Sequence, residues 1–450
     1  ASQMGASVVL LESGKVGGDC LNYGCVPSKA MIAAGHAAEL FRTSEPFGVA
    51  QQEPVIDFAK VHKHVHDVIG AIKPNDSVER FESLGVHVIQ AAGKFIGRRE
   101  VVAGDARIKA KYFVVATGSS AVVPPIPGLA DVHYLTNETV FERTECPEHL
   151  LVIGGGPIGC ELAQAHRRLG AKATILEMFG ILAKDDPEAA DVVRRQLQRE
   201  GISVREDIKV SEVSASDGGV TVEIECDDGA ETITGSHVLV AAGRRPNLDG
   251  LDLDAAGIAH SPQGIEVDAR LRTTNKRVFA IGDVAGTLQF THVAGYHAGI
   301  VIRNALFKLP AKPTYRAIPR VTYTDPELAN VGLTEAEAKD RLSGDIRILR
   351  WPFAENDRAQ AERRTEGFVK VIADRKGRIH GVCIVGPHAG ELIMPWVLAV
   401  ENGLKVGAMA SVVAPYPTLS EVSKRASGSY FTASLFSERT KKLVRFLMRF

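Results

Sequence analysis

The segment 150–177 constrains the fold of this chain more than any other. An apolar run is followed by the pattern G-x-G-x-x-G, with glycines at Gly154, Gly156 and Gly159, and then by a helical stretch. Such glycines allow a tight turn and let the backbone approach a pyrophosphate at a helix N-terminus. A second apolar run ends in Glu177, whose carboxylate suits a ribose diol and repels a 2′-phosphate. The segment predicts a dinucleotide-binding unit that favours NADH over NADPH.

The beginning of the chain repeats the end of that unit. Residues 4–12 resemble residues 169–177, since both segments contain Gly-Ala at the second and third positions and end in Leu-Glu. We therefore expect Glu12 to bind the ribose of a second adenine nucleotide. The spacing from Gly154 to Glu177, counted back from Glu12, places the matching glycine motif before Ala1. A chain that begins at Ala1 is thus expected to bind this nucleotide weakly, and a longer one more tightly.

Apolar runs alternate with helical stretches along most of the chain, which favours parallel sheets wound with crossover helices. These runs stop at glycine, Thr-Gly or an acid, where α/β proteins bind ligands. From Pro313 onward, strand-like segments at 319–323, 367–373 and 379–385 predict a mixed α+β domain.

Composition excludes several classes of function. Lys and Arg number 53 against 54 Asp and Glu, so no global charge attracts nucleic acid. No apolar run approaches the ~20 residues of a membrane span, and Ala1 does not open a signal peptide. We expect a cytoplasmic protein. Six cysteines in 450 residues cannot form a structural disulfide framework.

Two of these cysteines, Cys20 and Cys25, lie between glycines at the entry to a helix. A helix N-terminus and a nearby ammonium stabilise a thiolate, so the favoured interpretation is a reactive dithiol–disulfide pair. A zinc site needs a second ligand pair, which the other four cysteines do not supply. Metal binding and inert cysteines are the less favoured alternatives.

Six ordered motifs then carry a resemblance that covers nearly the whole chain. They are 17–30, 116–119, 154–161, 242–247, 281–283 and 323–327. Together they resemble the pyridine nucleotide-disulfide oxidoreductases, flavoproteins that include dihydrolipoyl dehydrogenase, glutathione reductase and mercuric reductase. The resemblance implies an α/β fold with two Rossmann-like domains, for FAD and NAD(P)H, and a C-terminal α+β dimerisation domain. It also implies a homodimer whose active site is shared between subunits.

The predicted domains follow from this resemblance and from shifts in composition. Residues 1–146 and 271–312 form the FAD-binding domain in two parts, and residues 147–270 form the NAD(P)-binding domain. Residues 313–425 form the dimerisation domain, and 426–450 a basic amphipathic tail.

The resemblance also implies roles for individual residues. Cys25 corresponds to the thiolate beside the flavin and Cys20 to the interchange thiol that attacks the substrate. Lys29 corresponds to the lysine beside the flavin and Glu161 to its carboxylate partner, while Asp283 binds the flavin ribityl chain. Further cofactor-binding positions are Gly18, Thr117, Gly118, Ser119, Gly243, Arg244 and Gly282.

The sequence departs from disulfide reductases near its C-terminus. Those enzymes carry a histidine that moves the proton between interchange thiol and substrate, whereas Tyr416 stands here and Glu421 remains. A phenol with a pKa near 10 is a poor base at neutral pH. Tyrosine at this place is similar to mercuric reductase, but no cysteine follows Cys383 to deliver a metal ion.

Two weaker signals concern histidines and the tail. His62 and His66 are spaced to share a helix face with His64 between them, but no Glu or Cys is near in sequence, so solvated or packed histidines are favoured over a metal site. The tail places Leu443, Phe446 and Phe450 at helical spacing among basic residues. Such a helix lies on a membrane surface or packs on the dimer, and the second is favoured.

The leading hypothesis is therefore an FAD-dependent NAD(P)H oxidoreductase with a redox-active Cys20–Cys25 pair. Its acceptor is a soft metal ion, as in mercuric reductase, or a small molecule such as a quinone or a disulfide. Dihydrolipoyl dehydrogenase is the second enzymatic reading, and Tyr416 counts against it. A catalytically silent nucleotide-binding redox sensor is the alternative from another class.

Overall fold

A computed structural model describes residues 1–227, 229–342 and 346–450. The chain divides into two compact units, and each is described by itself. Unit 1 comprises residues 1–178 and 207–314, and unit 2 comprises 179–206 and 315–450. Within the described ranges, no helix has the length and apolar character needed to cross a membrane.

The elements of the first part of unit 1 alternate between helices and short strands. They are β1 (Val8–Leu11), α1 (Gly18–Asn22), α2 (Cys25–Arg42), α3 (Phe58–Ile72), α4 (Val78–Ser83), β2 (Val86–Ile89), β3 (Gly93–Gly97), β4 (Glu100–Ala103), β5 (Ala106–Lys109), β6 (Phe113–Val115), β7 (Ser119–Ala121), β8 (Tyr134–Leu135), β9 (His149–Ile153), α5 (Pro157–Arg168) and β10 (Lys172–Leu176).

Two elements of unit 2 come next in the chain, followed by the second part of unit 1. The former are α6 (Pro187–Arg199) and β11 (Ser203–Arg205). The latter are β12 (Lys209–Ser216), β13 (Gly219–Cys226), β14 (Gly229–Gly235), β15 (His237–Val240), β16 (Arg244–Pro246), β17 (His260–Ser261), β18 (Gly264–Ile265), β19 (Val278–Ala280) and α7 (Thr291–Ala305).

The remaining elements belong to unit 2. They are β20 (Arg320–Thr322), β21 (Glu327–Gly332), α8 (Glu335–Arg341), β22 (Ile346–Pro352), α9 (Asp357–Ala361), β23 (Phe368–Asp374), β24 (Ile379–Gly386), α10 (Ala389–Leu392), α11 (Met394–Glu401), α12 (Val406–Ala410), α13 (Glu421–Leu435) and α14 (Glu438–Leu447).

Parallel pairing dominates the strands that carry the predicted nucleotide motifs. In unit 1, β9 pairs in parallel with β10 and β15, and β15 pairs in parallel with β8. β1 pairs with β2 and β6 with β19 in the same sense. The side chains of β9 are almost entirely buried, as expected for a parallel strand covered on both faces. These are the sheets that the alternating apolar runs predicted.

Two antiparallel meanders were not predicted by the sequence. β3, β4 and β5 form one, and β12, β13 and β14 form the other. Alternation of buried and exposed side chains along β13 shows that one face is covered and the other is solvated. The expectation of parallel sheets therefore does not extend to these insertions.

Unit 2 contains an antiparallel sheet with the strand order β20-β21-β24-β23-β22. Its core includes the fully buried Phe353 and Trp396, and helices pack on the sheet. This arrangement confirms the predicted α+β domain, and with unit 1 it confirms the α/β fold class.

The compact units are fewer than the predicted domains and do not divide unit 1 at 146/147 or 270/271, so these domain boundaries stay predictions. Residues 179–206 were predicted to belong to the NAD(P)-binding domain but group with unit 2. The predicted tail begins inside α13, whose Val422 and Ala426 are buried in the core of unit 2. Helix α14 does show the predicted exposed apolar residues, among them Leu443 and Phe446.

Candidate functional site

The two cysteines are placed by consecutive helices. Cys20 lies in α1, and Cys25 is the first residue of α2, so its sulfur is at a helix N-terminus. Gly17 has a φ of 100°, and a Cβ there would lie 2.4 Å from Leu21 Cδ2, which requires glycine at this turn. Both cysteines are free thiols, and Cys25 is exposed.

The environment separates the acidities of the two thiols. The hydrogen bond from the Cys20 thiol, assisted by Thr291 and the positive charge of Lys29, lowers the pKa of Cys25 to about 6. The Cys25 Sγ lies 3.4 Å from Thr291 Oγ1. The same thiol–thiol bond and burial raise the pKa of Cys20 far above its ordinary value. At neutral pH the pair therefore holds one proton, on Cys20, and a thiolate at Cys25.

A partly buried ion pair lies one helical turn beyond Cys25. The Lys29 Nζ donates to Glu161 Oε2 at 2.8 Å, which joins α2 to α5. The lysine side chain is 36% exposed and the glutamate 7%. The two helices pack against each other at Gly35, where a Cβ would lie 3.5 Å from the Ala165 backbone, an ordinary contact distance. This is the pairing that the resemblance implied, now with a direct contact.

A polar network that the sequence did not predict fixes the segment before Cys20. The Arg244 guanidinium donates to Asp19 Oδ2 at 3.0 Å and to the Ser119 carbonyl at 2.6 Å. The Ser119 hydroxyl in turn donates to Asp283 Oδ2 at 2.5 Å. Pairing of β7 with β16 brings Ser119 beside Arg244. These hydrogen bonds join the predicted cofactor-binding residues Arg244, Ser119 and Asp283 to Asp19, which directly precedes Cys20.

The remaining predicted positions of the FAD-binding part lie on turns. Thr117 donates to the Asn247 carbonyl at 2.7 Å. Gly118 and Gly243 both have positive φ, and a Cβ at either would meet no atom within 4 Å. The Gly282 amide donates to His297 Nδ1 at 3.2 Å, and burial lowers the pKa of this histidine.

The glycine motif at 154–159 has the expected geometry. Gly154 has a φ of 113°, and a Cβ on Gly159 would lie 1.9 Å from the Gly154 carbonyl oxygen. Gly156 precedes the first turn of α5, and no atom lies within 4 Å of the position that a Cβ there would occupy. The Gly155 amide donates to Glu177 Oε2 at 2.5 Å. The acid therefore lies at the glycine turn, as a ribose-binding carboxylate requires, and the residues fit a dinucleotide.

The first acid, Glu12, lies at the end of β1 and accepts a hydrogen bond from the Gly14 amide at 2.8 Å. A cavity of about 410 Å³ extends from this acid to Cys20, and its lining includes Glu12, Gly18, Cys20 and Thr291. Apolar side chains such as Leu10 and Phe81 complete the wall. An apolar cavity that ends in an acid and a thiol fits a flavin nucleotide.

Tyr416 and Glu421 lie in unit 2. Tyr416 is 69% exposed and donates to Asp357 Oδ2 at 2.8 Å. This hydrogen bond and the charge of Asp357 raise the pKa of the phenol above its ordinary value. Glu421 opens α13 and lies 3.9 Å from Arg425. The phenol is therefore an even weaker acid than a free tyrosine, and it is exposed to a partner or ligand.

The structure removes one premise of the histidine interpretation. Glu142, remote in sequence, lies beside His62 and His66, with its carboxylate 3.8 Å from His66 Nε2. The absence of an acid near these histidines in sequence therefore does not describe their surroundings in the fold. His64 is exposed and is not a member of this cluster.

Comparisons with known proteins agree with these geometries. Residues 1–298 match the family described as pyridine nucleotide-disulphide oxidoreductase, and residues 318–427 match its dimerisation domain. Mercuric reductase of Bacillus cereus is 34% identical over 95% of this chain and 68% of its own length. Dihydrolipoyl dehydrogenase of Geobacillus stearothermophilus is 36% identical over 95% of this chain and 92% of its own.

Solved structures give the same result. The HOCl-induced flavoprotein disulfide reductase RclA of Escherichia coli matches with a TM-score of 0.84 and 27% identity, covering 97% of this chain and 96% of that one. LpdA of Mycobacterium tuberculosis matches with a TM-score of 0.85 and 28% identity, covering 94% and 93%.

The matched dimerisation domain supports formation of a homodimer. Members of the matched family use FAD and NAD(P)H, which confirms the predicted cofactors. The chain belongs to the pyridine nucleotide-disulphide oxidoreductase family of flavoproteins.

Proposed function

We propose that this protein is an FAD-dependent NAD(P)H oxidoreductase whose Cys20–Cys25 pair delivers electrons to a soft metal ion, in the manner of a mercuric reductase. The observation that carries the proposal is the placement of the two thiols on consecutive helices, with Cys25 at the start of α2 and 3.4 Å from Thr291 Oγ1, and Cys20 in the lining of the cavity that contains Glu12. Bound FAD supplies two-electron transfer between NAD(P)H and the cysteine pair.

The two thiols have different tasks in this proposal. Reduction of the Cys20–Cys25 disulfide takes up two electrons and one proton, which leaves a thiol at Cys20 and a thiolate at Cys25. The Cys25 thiolate is stabilised by Thr291 and by the charge of Lys29. Cys20 is the thiol that binds the acceptor, in line with the role that the resemblance implies. Its proton is released when a metal ion binds. With mercuric ion the overall balance is Hg²⁺ + NADH → Hg⁰ + NAD⁺ + H⁺.

The Lys29–Glu161 pair positions a positive charge near the thiolate. Its geometry suits this task because the glutamate is buried and its partner reaches toward Cys25 from the next helical turn. The carboxylate offsets the charge of the lysine in this partly buried position. We therefore assign both residues to the electrostatics of the redox centre.

Tyr416 supports a metal ion over a small disulfide as acceptor. Disulfide exchange with a small substrate needs a base that holds and returns a proton near neutral pH. The bond to Asp357 raises the pKa of Tyr416, so the phenol stays protonated there. While its hydroxyl donates to Asp357, the phenol oxygen can still accept a hydrogen bond from a ligand of the metal ion. In the homodimer we place the partner subunit's Tyr416 and the partner subunit's Glu421 beside the acceptor of this chain.

NADH is the proposed donor. The Glu177 carboxylate lies at the Gly155 amide, where a 2′-phosphate would meet a negative charge. An NADH-to-NADPH ratio of kcat/KM above about ten is the expected result, since repelling one phosphate is worth more than 1.4 kcal/mol. A preference for NADPH would contradict this assignment.

Dihydrolipoyl dehydrogenase is the second candidate, because a relative of that name is 36% identical over most of the chain. The discriminating experiment measures NADH oxidation with Hg²⁺ in the presence of excess thiol, and NAD⁺ reduction by dihydrolipoamide, on the same flavin-loaded preparation. We expect mercuric ion to be reduced and dihydrolipoamide to turn over slowly.

A kcat with dihydrolipoamide of about 10 s⁻¹ or more, typical of a dedicated enzyme, together with no reduction of Hg²⁺, would overturn the proposed acceptor. If neither acceptor oxidises the NADH-reduced enzyme, the reductase proposal itself fails. The variant Asp357→Ala tests the tyrosine further, because it removes both the hydrogen-bond acceptor and the charge that raise the phenol pKa.

Helix α14 is the remaining surface for a partner. Its Leu443, Phe446 and Met448 side chains are exposed among basic residues. We propose that this face packs within the homodimer. Removal of residues 437–450 is then expected to weaken the dimer in analytical ultracentrifugation, whereas co-sedimentation with anionic vesicles would contradict dimer packing and indicate a membrane contact instead.

A further inference from the structure

A cluster of metal-ligating side chains lies apart from the thiol pair and takes no part in the proposed reaction. His62 and His66 are one turn apart on α3, and their ring centroids are 4.1 Å apart. Glu142 joins them, with its Oε2 3.8 Å from His66 Nε2. One ligand atom from each of the three residues lies within 4.8 Å of the other two, a group found by searching the described part of the chain.

The spacing of these atoms is close to that of a metal site. Two atoms that each lie about 2.1 Å from one ion are about 3.4 Å apart in a tetrahedral site. Ligand atoms that lie within 4.8 Å of one another therefore need to approach by at most about 1.4 Å to reach that geometry. The helix contributes two imidazoles on one face because positions four apart are neighbours. Rotation of the three side chains about their χ angles is the movement that binding requires.

The bonding of the cluster also suits an ion. His66 Nε2 is buried without a hydrogen-bond partner among the described residues. The adjacent Lys63 and Asp67 form an ion pair with each other at 2.6 Å. The Asp67 carboxylate is therefore engaged with Lys63 and is not counted among the metal ligands.

Lys15 is the charged group that faces the cluster from another segment. Its Nζ lies 3.9 Å from Glu142 Oε1 and 5.1 Å from the Tyr23 ring centroid. Both residues flank the segment that carries Cys20. A metal ion bound to Glu142 would therefore replace the Lys15 ammonium as the positive charge that balances this carboxylate.

We propose that His62, His66 and Glu142 bind one divalent transition-metal ion of the zinc class. Two imidazoles and a carboxylate are borderline ligands that suit such ions, whereas a soft ion prefers the thiolates of Cys20 and Cys25. Three protein ligands leave a fourth position for water. The binding needs neither NAD(P)H nor turnover, so it is independent of the proposed function.

The test is a Zn²⁺ titration by isothermal calorimetry of the full chain carrying Cys20→Ser and Cys25→Ser, which removes the thiol site. We expect one equivalent of Zn²⁺ to bind. His66→Ala and Glu142→Gln should each weaken the affinity by about tenfold or more. His64→Ala is the matched control on the same helix and should leave the affinity unchanged.

A second measurement uses Co²⁺ as spectroscopic probe, because its visible absorption reports a four-coordinate site with nitrogen ligands. The bands should appear in the Cys20→Ser/Cys25→Ser protein and disappear when His66→Ala is added, with thermal unfolding confirming that the variant is folded. No Zn²⁺ binding by the Cys20→Ser/Cys25→Ser protein, or equal affinity when His66→Ala or His64→Ala is added to it, would overturn the proposal.

Discussion

The Cys20–Cys25 pair and the Tyr416 segment are built in opposite ways. Each thiol is set by contacts inside unit 1, where Cys25 interacts with Cys20, Thr291 and Lys29. Tyr416 lies in unit 2 with most of its side chain exposed, and its phenol contacts Asp357. The first region carries its full electrostatic environment within one unit, whereas the second presents a group outward.

In the proposed function, the Cys20–Cys25 pair carries the electrons, whereas Tyr416 affects which acceptor receives them. The environment that lowers the pKa of Cys25 does not involve Tyr416, so a substitution at Tyr416 is expected to leave the thiolate intact. Changes around the thiols should alter every reaction of the enzyme, while changes at Tyr416 should alter the ranking of acceptors.

The largest effect is expected for Cys25→Ser. Loss of the thiolate removes the link between the flavin and Cys20, so turnover with any acceptor that needs the pair should fall about a thousandfold or more. Steady-state NADH oxidation with Hg²⁺ measures this loss. The variant Cys226→Ser, at a cysteine outside the site, is the control and should keep its activity. Retained turnover in Cys25→Ser would show that the acceptor takes electrons without the pair.

Glu161→Gln should have the next largest effect. The substitution replaces the carboxylate 2.8 Å from Lys29 Nζ by a neutral amide, which weakens the attraction between the two side chains. The free energy of unfolding should fall by about 2 kcal/mol, less than for a fully buried pair because a third of the lysine side chain is exposed. Chemical denaturation measures this change. A double variant with Lys29→Met that recovers stability would support a pairwise effect, and an unchanged single variant would contradict it.

Tyr416→His should reorder the acceptors by a smaller factor. An imidazole titrates near neutral pH and can move the proton between thiol and disulfide. Dihydrolipoamide turnover should rise about tenfold while the pKa of Cys25 stays unchanged. Comparison with Tyr416→Phe separates proton transfer from shape, since phenylalanine cannot titrate. Equal dihydrolipoamide rates in both variants would show that residue 416 does not limit proton transfer.

The smallest effect is expected for Thr291→Ala. The hydroxyl stabilises the Cys25 thiolate, whose pKa of about 6 lies below its ordinary value. Thiolate chemistry should therefore be full above this pKa and decline as the pH falls through about 6. Loss of one hydrogen bond, worth about 1 kcal/mol, should move that decline upward by less than one pH unit. The pH profile of iodoacetamide alkylation of the reduced protein checks it, and a profile identical to that of the parent protein would remove Thr291 from the site.

Local patterns in the sequence predicted the nucleotide-binding strands well. The run 8–11 coincides with β1, and the run 150–153 falls within β9. The sequence also predicted the glycine turn Gly154–Gly159 between a strand and a helix, and a following strand that ends in Glu177. This was possible because the spacing of strand, turn and helix is set by short-range geometry. The Lys29–Glu161 contact came from family resemblance, since nothing local joins positions 132 residues apart.

The contacts that the sequence did not reveal are those made by the tertiary fold. Thr291 reaches Cys25 across 266 positions, and Arg244 reaches Asp19 across 225. No periodicity reports such pairs, because they depend on how separate elements pack. Glu142 beside His66 is the clearest case, as the prediction from the sequence considered only neighbours along the chain.

The ion pair between Arg244 and Asp19 also bears on the reduction potential of the cysteine pair. The Asp19 carboxylate raises the pKa of Cys25, and so it disfavours the thiolate that the reduced pair contains. Arg244, 3.0 Å away, offsets that charge. For a two-electron couple, about 30 mV corresponds to 1.4 kcal/mol. In the proposed function, Arg244 therefore affects the reduction potential of the cysteine pair, and with it the fraction of the disulfide that NAD(P)H reduces at equilibrium.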